Sequence, residues 1–446
     1  MTSRLLHLLL AGALVVLGAC TDGSGDSTTT VSVDESTTTA PSSSTTGEST
    51  TTTEPPPDTT LPAGTEDLPR EMREEIAELI VVTEEVRGLA FLQPPMIVVV
   101  SEDELEARVR ESVQEDIENL GADEALLKLL GLLEQDIDLL ELYLDLYGEQ
   151  VAGYYDGETG ELVVPAGDSL SELQKATLVH ELTHALTDQR FGFNDEYEAL
   201  IDGDRFDEAV AMLAVIEGDA TLTELLYIQS LDMSQQQDLL GEMFGTDSTV
   251  FDSVPAYLQN SLIFPYQEGL AFVQRFYEIG GFDEVNRLYV EPPVSSEQII
   301  TPRDYQDDLP IPVETVAPAV SGYEVVYEST WGELSFDLMF DQVLGGADEA
   351  SDGWGGDVYT QWYDGSDAAL LLVFTGDVDA DVTEMRDALV RYVPNAMAVE
   401  SDQIESDGGV AFEGDDFAFV RVSEGRLFFV AAGDPATGRQ IVTSLP

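Results

Sequence analysis

Three histidines occur in the 446 residues: His7 in an apolar leader, and His180 and His184 four positions apart inside a helical pattern. Residues i and i+4 of a helix share a face, so this spacing turns both imidazoles toward one point. Leu173, Ala176, Val179, Leu182 and Leu186 recur at intervals of three or four around the pair, Ser169 and Glu172 are spaced as a capping box, and Gly192 is a stop signal. The chain therefore has to bury a helix that carries two nitrogen donors, and some other segment has to supply what meets them.

Glu181 lies about 100° round the helix from His180. From there a carboxylate can reach water held by an ion on the two imidazoles. Two neutral imidazoles and one carboxylate, with a fourth position left open, are the donor set of catalytic zinc, and water bound in that position has a pKa near about 7. The expectation is one Zn2+ per chain, with zinc-bound water as nucleophile and Glu181 as general base. Because His7 is lost with the leader, the last protein ligand has to be an acid. In the helical stretch from Phe206 to Ile228, Val210, Leu213, Glu217 and Ala220 follow one another at helical spacing. That phase puts Glu217 on the apolar face, where an unpaired carboxylate is costly and a bound cation would offset the cost. Glu217 is the expected metal ligand, with Asp202, Asp204, Asp219 and Glu224 as competitors.

The absence of histidine elsewhere also rules out a Ser-His-Asp or Cys-His arrangement, and no Gly-rich phosphate loop follows a strand pattern. Acids number 88 against 18 basic residues, for a formal net charge of −70, so no basic stripe is available for nucleic acid. Such a surface is well solvated and suits a monomer. Nothing singles out a glycosidase-type carboxylate pair among so many acids.

The N-terminal end is not part of a fold. Residues 1–19, with Arg4 and then an apolar run from Leu5 to Val16 too short to span a bilayer, read as a signal peptide. The leader ends in Leu17-Gly18-Ala19-Cys20, which resembles the bacterial lipobox, and Cys20 is the only cysteine. That resemblance implies a lipidated Cys20 at the mature N-terminus and a protein held at the outer face of a bacterial cell membrane. Residues 20–67 are Thr, Ser, Pro, Gly and acid, too poor in apolar surface to order themselves. As a flexible tether they would reach about 35–40 Å.

Residues 68–302 are expected to form one unit and 303–446 a smaller one, divided where Pro292, Pro293, Pro302, Pro310 and Pro312 interrupt the periodicity. In the first, Ile76, Ile80 and Val81 mark a helix, Met96 to Val100 a strand, and Leu105 to Leu146 a helix-rich stretch. A hairpin spanning Val151 to Asp156 and Glu161 to Val164 precedes the histidine helix, and Glu161 to Val164 is expected to offer an edge to an extended substrate. In the second unit, Ala369 to Phe374 and Arg426 to Ala431 read as strands, and Leu334 to Val343 and Val382 to Val393 as helices. The fold class is α+β, with a helix-rich zincin-like domain followed by a smaller α+β domain.

The run Val179-His180-Glu181-Leu182-Thr183-His184-Ala185-Leu186-Thr187-Asp188-Gln189, followed by Glu217-Gly218-Asp219-Ala220-Thr221, resembles gluzincin-type metallopeptidases of bacterial envelopes, distantly similar to thermolysin. Phe264-Pro265-Tyr266-Gln267-Glu268-Gly269 and Gly353-Trp354-Gly355-Gly356-Asp357 are similar to segments of the same envelope proteins. The resemblance implies zinc on His180, His184 and Glu217, with Glu181 as base. The interval from His184 to Glu217 is longer than in thermolysin, and Thr221 stands where an acid would orient an imidazole. Asp219 or Glu224 is expected to take over that task. No histidine remains to stabilise an oxyanion, a role expected of Tyr266, with Tyr154 and Tyr155 as alternatives. The implied activity is hydrolysis of a peptide or protein substrate, by an endopeptidase more than an exopeptidase. The competing reading is a scaffolding lipoprotein that binds zinc but turns over little.

If Cys20 carries the anchor, Cys20→Ser should release the protein into the medium or leave its leader uncleaved, as read by fractionation and mass spectrometry. Unchanged membrane retention of a processed variant would overturn the lipobox assignment.

Overall fold

The computed structural model describes residues 62–115, 119–150, 153–245, 249–303, 305–314, 317–345, 350–400 and 403–446. The leader, Cys20 and the tether as far as residue 61 lie outside the described residues. Pro62 and Thr65 are buried, and Gly64 takes φ +86° with its Cα against the Ile97 carbonyl, where a Cβ would lie 1.9 Å from the oxygen. Residues 62–67, read as the end of the tether, therefore pack on the fold. No described helix is long and apolar enough to cross a membrane.

The first region opens with α1 (Arg70–Arg87), which buries Met72, Ile76 and Leu79. β1 (Met96–Val100), α2 (Glu102–Glu115), α3 (Leu120–Leu129), α4 (Leu139–Gln150), β2 (Tyr154–Asp156) and β3 (Glu161–Pro165) follow. The three strands form a sheet ordered β1-β3-β2, β3 running parallel to β1 and antiparallel to β2. Glu161 to Val164 is thus the sheet's centre, not the open edge expected. The β-branched run 96–100 occupies one side of β3 and its hairpin partner the other, leaving β1 and β2 as the edges.

Next come α5 (Glu172–Phe191), α6 (Phe193–Asp202), α7 (Phe206–Ser230), α8 (Met233–Met243), α9 (Thr249–Ser253), α10 (Ala256–Gly280), α11 (Phe282–Leu288) and α12 (Ser296–Ile300). The capping box of α5 forms two residues later than Ser169 and Glu172. Gln174 N donates to Ser171 Oγ, and Ser171 N donates to Gln174 Oε1, because a glutamine reaches back as well as a glutamate does. Gly192 ends the helix at φ +68°, as its sequence position implied.

α7 and α10 pack in backbone contact. A Cβ on Gly218 would lie 2.2 Å from the Gly269 carbonyl oxygen, and a Cβ on Gly269 would lie 2.2 Å from that of Ala214. Removing both side chains lets the helices approach more closely than any other residue would allow. Tyr266, one turn before Gly269, and Glu217, next to Gly218, are carried into the same space.

The second region holds β4 (Glu324–Ser329), α13 (Gly332–Leu344), β5 (Trp354–Tyr363), β6 (Ala368–Gly376), α14 (Asp379–Ala396), β7 (Ile404–Ser406), β8 (Gly409–Glu413), β9 (Phe417–Ser423), β10 (Arg426–Ala432) and α15 (Pro435–Thr443). Its seven strands are ordered β4-β5-β6-β10-β9-β8-β7, all pairs antiparallel. Along β6, Leu370, Leu372 and Phe374 face the main core, with Leu389 and Tyr392 of α14. Ala369, Leu371 and Val373 face the opposite side, with Ile441 and Val442 of α15. The period-2 alternation is satisfied on both faces because both are covered. The main core also includes Leu213 to Ile216, Leu258 and Phe264, so one apolar cluster joins helices from before Pro302 to the sheet after it. The architecture is mixed α+β.

Gly269→Ala should force α7 and α10 apart and destabilise the protein by about 1–3 kcal/mol, the usual range for overpacking. Denaturant unfolding checks this, and a stability equal to the wild type would mean the contact is not limiting.

Candidate metal centre

His180, Glu181 and His184 lie on the part of α5 that faces the molecule's interior, and all three are buried. One ligand atom from each lies within 4.8 Å of the other two. The two imidazoles meet edge to face, their centroids 4.7 Å apart. From α7, Glu217 comes in with no exposed surface, its Oε2 3.0 Å from His180 Nε2 and 3.6 Å from His184 Nε2. The first is a hydrogen bond and the second is too long for one. His184 Nε2, Glu217 Oε1 and Glu181 Oε1 are buried with no hydrogen-bond partner among the described residues.

The charges follow from this packing. Burial alone would raise Glu217, but the His184 and His180 imidazoles hold its carboxyl down at about 2. Burial works against a charged His180, yet its bonds to Glu217 and Glu224 keep it well above the ordinary histidine range. Burial depresses His184. Glu181 is pushed up to about 8, first by burial, while His180 and the Tyr155 amide pull it back and the Glu217 charge adds to the rise.

Glu224, one of the expected imidazole-orienting acids, stands with Oε2 3.3 Å from His180 Nδ1. The Tyr266 ring stacks on His180, centroids 6.2 Å apart and planes 25° from parallel. Glu181 Oε2 accepts a 2.8 Å hydrogen bond from the backbone N–H of Tyr155 in β2. That contact gives the hairpin before the histidine helix a physical task, since it fixes one oxygen of Glu181 and leaves the other free.

Other sequence candidates are elsewhere. Asp219 neither faces an imidazole nor competes for the ligand position. Arg87 Nε pairs with it, 2.8 Å from Oδ1 and donating to Oδ2 at 3.0 Å, and Tyr289 Oη donates to the same Oδ2 at 2.9 Å. Two residues past Glu217 on a helix is about 200° round, so Asp219 faces α1 and α11, not α5. Thr221 Oγ1 is buried with no hydrogen-bond partner among the described residues, so it bonds neither histidine. Asp202 is exposed at the end of α6, and Asp204 sits in the turn before α7 at φ +53°. Of the alternative tyrosines, Tyr155 donates its hydroxyl to Asp188 Oδ2 at 2.7 Å and Tyr154 is bonded to Arg108, so neither phenol is free for an oxyanion.

Sequence reasoning missed Arg87, Asn286 and Tyr289. Arg87 has no exposed surface, its Nη2 donates to Asn286 Oδ1 at 2.7 Å, and its guanidinium lies 4.4 Å from the centre of the Phe282 ring. The signal for Arg87 was available: Met72, Ile76, Thr83 and Arg87 keep the inward phase of α1, the same kind of argument that selected Glu217.

A family described as "Domain of unknown function (DUF8575)" matches residues 321–441, the stretch from β4 into α15. The matched span contains none of the residues around His180. No curated protein and no solved structure matches the chain.

The Arg87–Asp219 pair can be tested apart from any metal. Arg87→Leu should leave a buried carboxylate without its cation and cost about 3–5 kcal/mol, whereas the double variant with Asp219→Leu should recover much of that loss. A double-mutant cycle by denaturant unfolding reads the coupling, and additive losses would mean the two side chains are not energetically paired.

Proposed function

We propose that this chain is a zinc metallopeptidase of gluzincin type with a zincin-like helical region, exported and lipid-anchored through Cys20 at the outer face of the cell membrane. In this reading it acts as a monomer on a peptide or protein substrate. One observation carries it: His180, His184, Glu217 and Glu181 converge in a buried space where His184 Nε2, Glu217 Oε1 and Glu181 Oε1 have no hydrogen-bond partner among the described residues. Unmatched buried donors and acceptors are costly, and a divalent cation is the group that would satisfy an N2O set at one stroke. His180, His184 and Glu217 would hold it.

Zinc in such a site supplies a Lewis acid that makes water acidic and polarises a carbonyl. The protein's own groups account for the rest. Glu181, anchored at Oε2 by the Tyr155 amide, has Oε1 to accept a proton from the attacking water and deliver it to the leaving amine. Glu224 near Nδ1 of His180 would fix that ring's tautomer and leave Nε2 directed at Glu217's side of the site. Tyr266, stacked on His180, is assigned the oxyanion of the tetrahedral intermediate.

A second reading, a zinc-binding scaffold of little turnover, is favoured by one feature. His180 and Glu181 are each 1% exposed and His184 and Glu217 0%, so a substrate has no direct approach to them without movement of a covering element.

Elemental analysis and hydrolysis of a mixed peptide library separate the two. The wild type should hold one zinc and cleave. Glu181→Gln should keep the zinc while hydrolysis falls by roughly 10² to 10⁴. Glu217→Gln should lose zinc, because an amide is a poorer ligand and no longer balances the ion's charge. Zinc without hydrolysis in the wild type would establish the scaffold reading, and full zinc and activity in Glu217→Gln would remove Glu217 from the ligand set.

A further inference from the structure

Asp188 follows Glu181 on α5 at an interval of two helical turns, which puts both carboxylates on one stripe of the helix, about 10 Å apart along its axis. Tyr155 of β2 touches that stripe twice. Its backbone N–H donates to Glu181 Oε2 at 2.8 Å, and its hydroxyl donates to Asp188 Oδ2 at 2.7 Å. The side chain therefore runs along α5 from the level of the first acid to that of the second, buried in the small core it shares with Leu178, Leu182 and Ala185.

The other oxygen of Asp188 is used as well. Oδ1 accepts from the backbone N–H of Asn194 at 3.0 Å. Asn194 stands in the first turn of α6, where an amide has no partner within its own helix. Its side chain meets the turn of the hairpin, since a Cβ on Gly157 would lie 2.1 Å from Asn194 Oδ1 and the amide packs there on bare backbone. The histidine helix, the hairpin and α6 thus close on one carboxylate. Phe193, the first residue of α6, is in turn set edge-on to His184, centroids 6.5 Å apart.

β2 depends on such a fastening. It is three residues long, lies at the edge of its sheet and pairs with β3 over Tyr154 to Asp156. So short a pairing is marginal by itself and does not set how far the strand stands from α5. The two bonds from Tyr155 set that distance. Without Asp188, the Tyr155 amide would be held by the group it is itself meant to hold.

We propose that Tyr155 and Asp188 are positioning residues for the hydrolytic reaction. The bond from the Tyr155 hydroxyl to Asp188 Oδ2 fixes β2 against α5, so that the Tyr155 amide pins Glu181 Oε2 and leaves Oε1 aimed at the attacking water. The inference rests on Glu181 being the general base. A glutamate side chain has three rotatable bonds, and a reacting group displaced by about 1 Å loses roughly 10² in rate, so a base of this kind has to be held at one oxygen while the other works.

The test removes one bond and little else. Tyr155→Phe keeps the ring, the strand and the backbone amide. It should hold the same zinc and show a KM within about twofold of the wild type, while kcat falls by about ten- to a hundredfold. A second readout needs neither metal nor turnover. In zinc-free protein the Tyr155 amide should exchange with deuterium roughly ten- to a hundredfold faster in the variant, the equivalent of one hydrogen bond to a charged group. Asp188→Ala should move kcat and exchange in the same directions, and adding Tyr155→Phe to it should change neither further, because the hydroxyl then has no carboxylate to meet. Unchanged exchange in Tyr155→Phe would overturn the proposal, as would faster exchange at unchanged kcat, a loss confined to KM, or independent losses in the double variant. A wild type without hydrolysis, or Glu181→Gln cleaving as the wild type does, would remove the base assignment and the proposal with it. The exchange rates, read without zinc, show in that case whether the contact itself had failed.

Discussion

A carboxylate with no exposed surface has to be neutralised from within, and Glu217 sets that condition for the helical half of the protein. Its Oε2 lies against both imidazoles of α5, so α5 and α7 are held at a separation fixed by side chains, not by apolar packing alone. On its other flank α7 meets α10 through Gly218 and Gly269, at a separation fixed by the absence of side chains. One helix is thus located by a polar bridge on one face and by bare backbone on another. Neither can relax without moving Glu217, Tyr266 or both.

The same helix solves a second charge problem two residues on. Asp219 points toward α1, where Arg87, also without exposed surface, meets it with help from Tyr289. Buried ion pairs contribute little net stability, but breaking one is expensive, so they act mainly to define which face meets which neighbour. α7 is buried nearly all round, and apolar contacts alone would specify its rotation weakly. Glu217 toward α5 and Asp219 toward α1 fix that rotation, and the convergence of Glu217 with His180 and His184 depends on it.

This division explains what the sequence made legible. The histidine helix, its Gly192 end, β1, β6, β10 and the inward phase of Glu217 were readable because each rests on local periodicity or a cap. Tyr266 was readable only through resemblance, since a tyrosine in an apolar helix carries no local sign of a polar neighbour. What failed was pairing across distance. Glu161 to Val164 looked like an edge because the parallel partner, Met96 to Val100, precedes it by three helices. Asp219 looked like a helper of the histidines because Thr221 stands where an acid would orient an imidazole and Asp219 is an acid nearby in sequence, while Arg87 is 132 positions away. The Ser169 capping box was misplaced because serine occurs twice within three residues and only the three-dimensional chain direction chooses between them.

Most of the 88 acids are a solvated surface, yet the seam between the two regions is lined by buried ones. Asp207 of α7 bonds Ser296 N, and a Cβ on Gly332, which takes φ +81°, would lie 2.0 Å from its Oδ1. Asp357, the last residue of Gly353-Trp354-Gly355-Gly356-Asp357, gathers two backbone amides at the start of α13 and the Trp354 indole, and Gly356 lets the strand pass against the Ile311 carbonyl. The sheet therefore docks on the helices through acids satisfied by backbone amides, with glycines making room for them. Such contacts are directional and offer little beyond geometry, while the shared apolar cluster supplies most of the attraction. It follows that the span 321–441 ends in the middle of a packed core. Within that span Leu370, Leu372 and Phe374 keep the cover of α13 and α14, but without it the helices around His180 would lose part of the cluster that buries Leu213, Ile216 and Leu258.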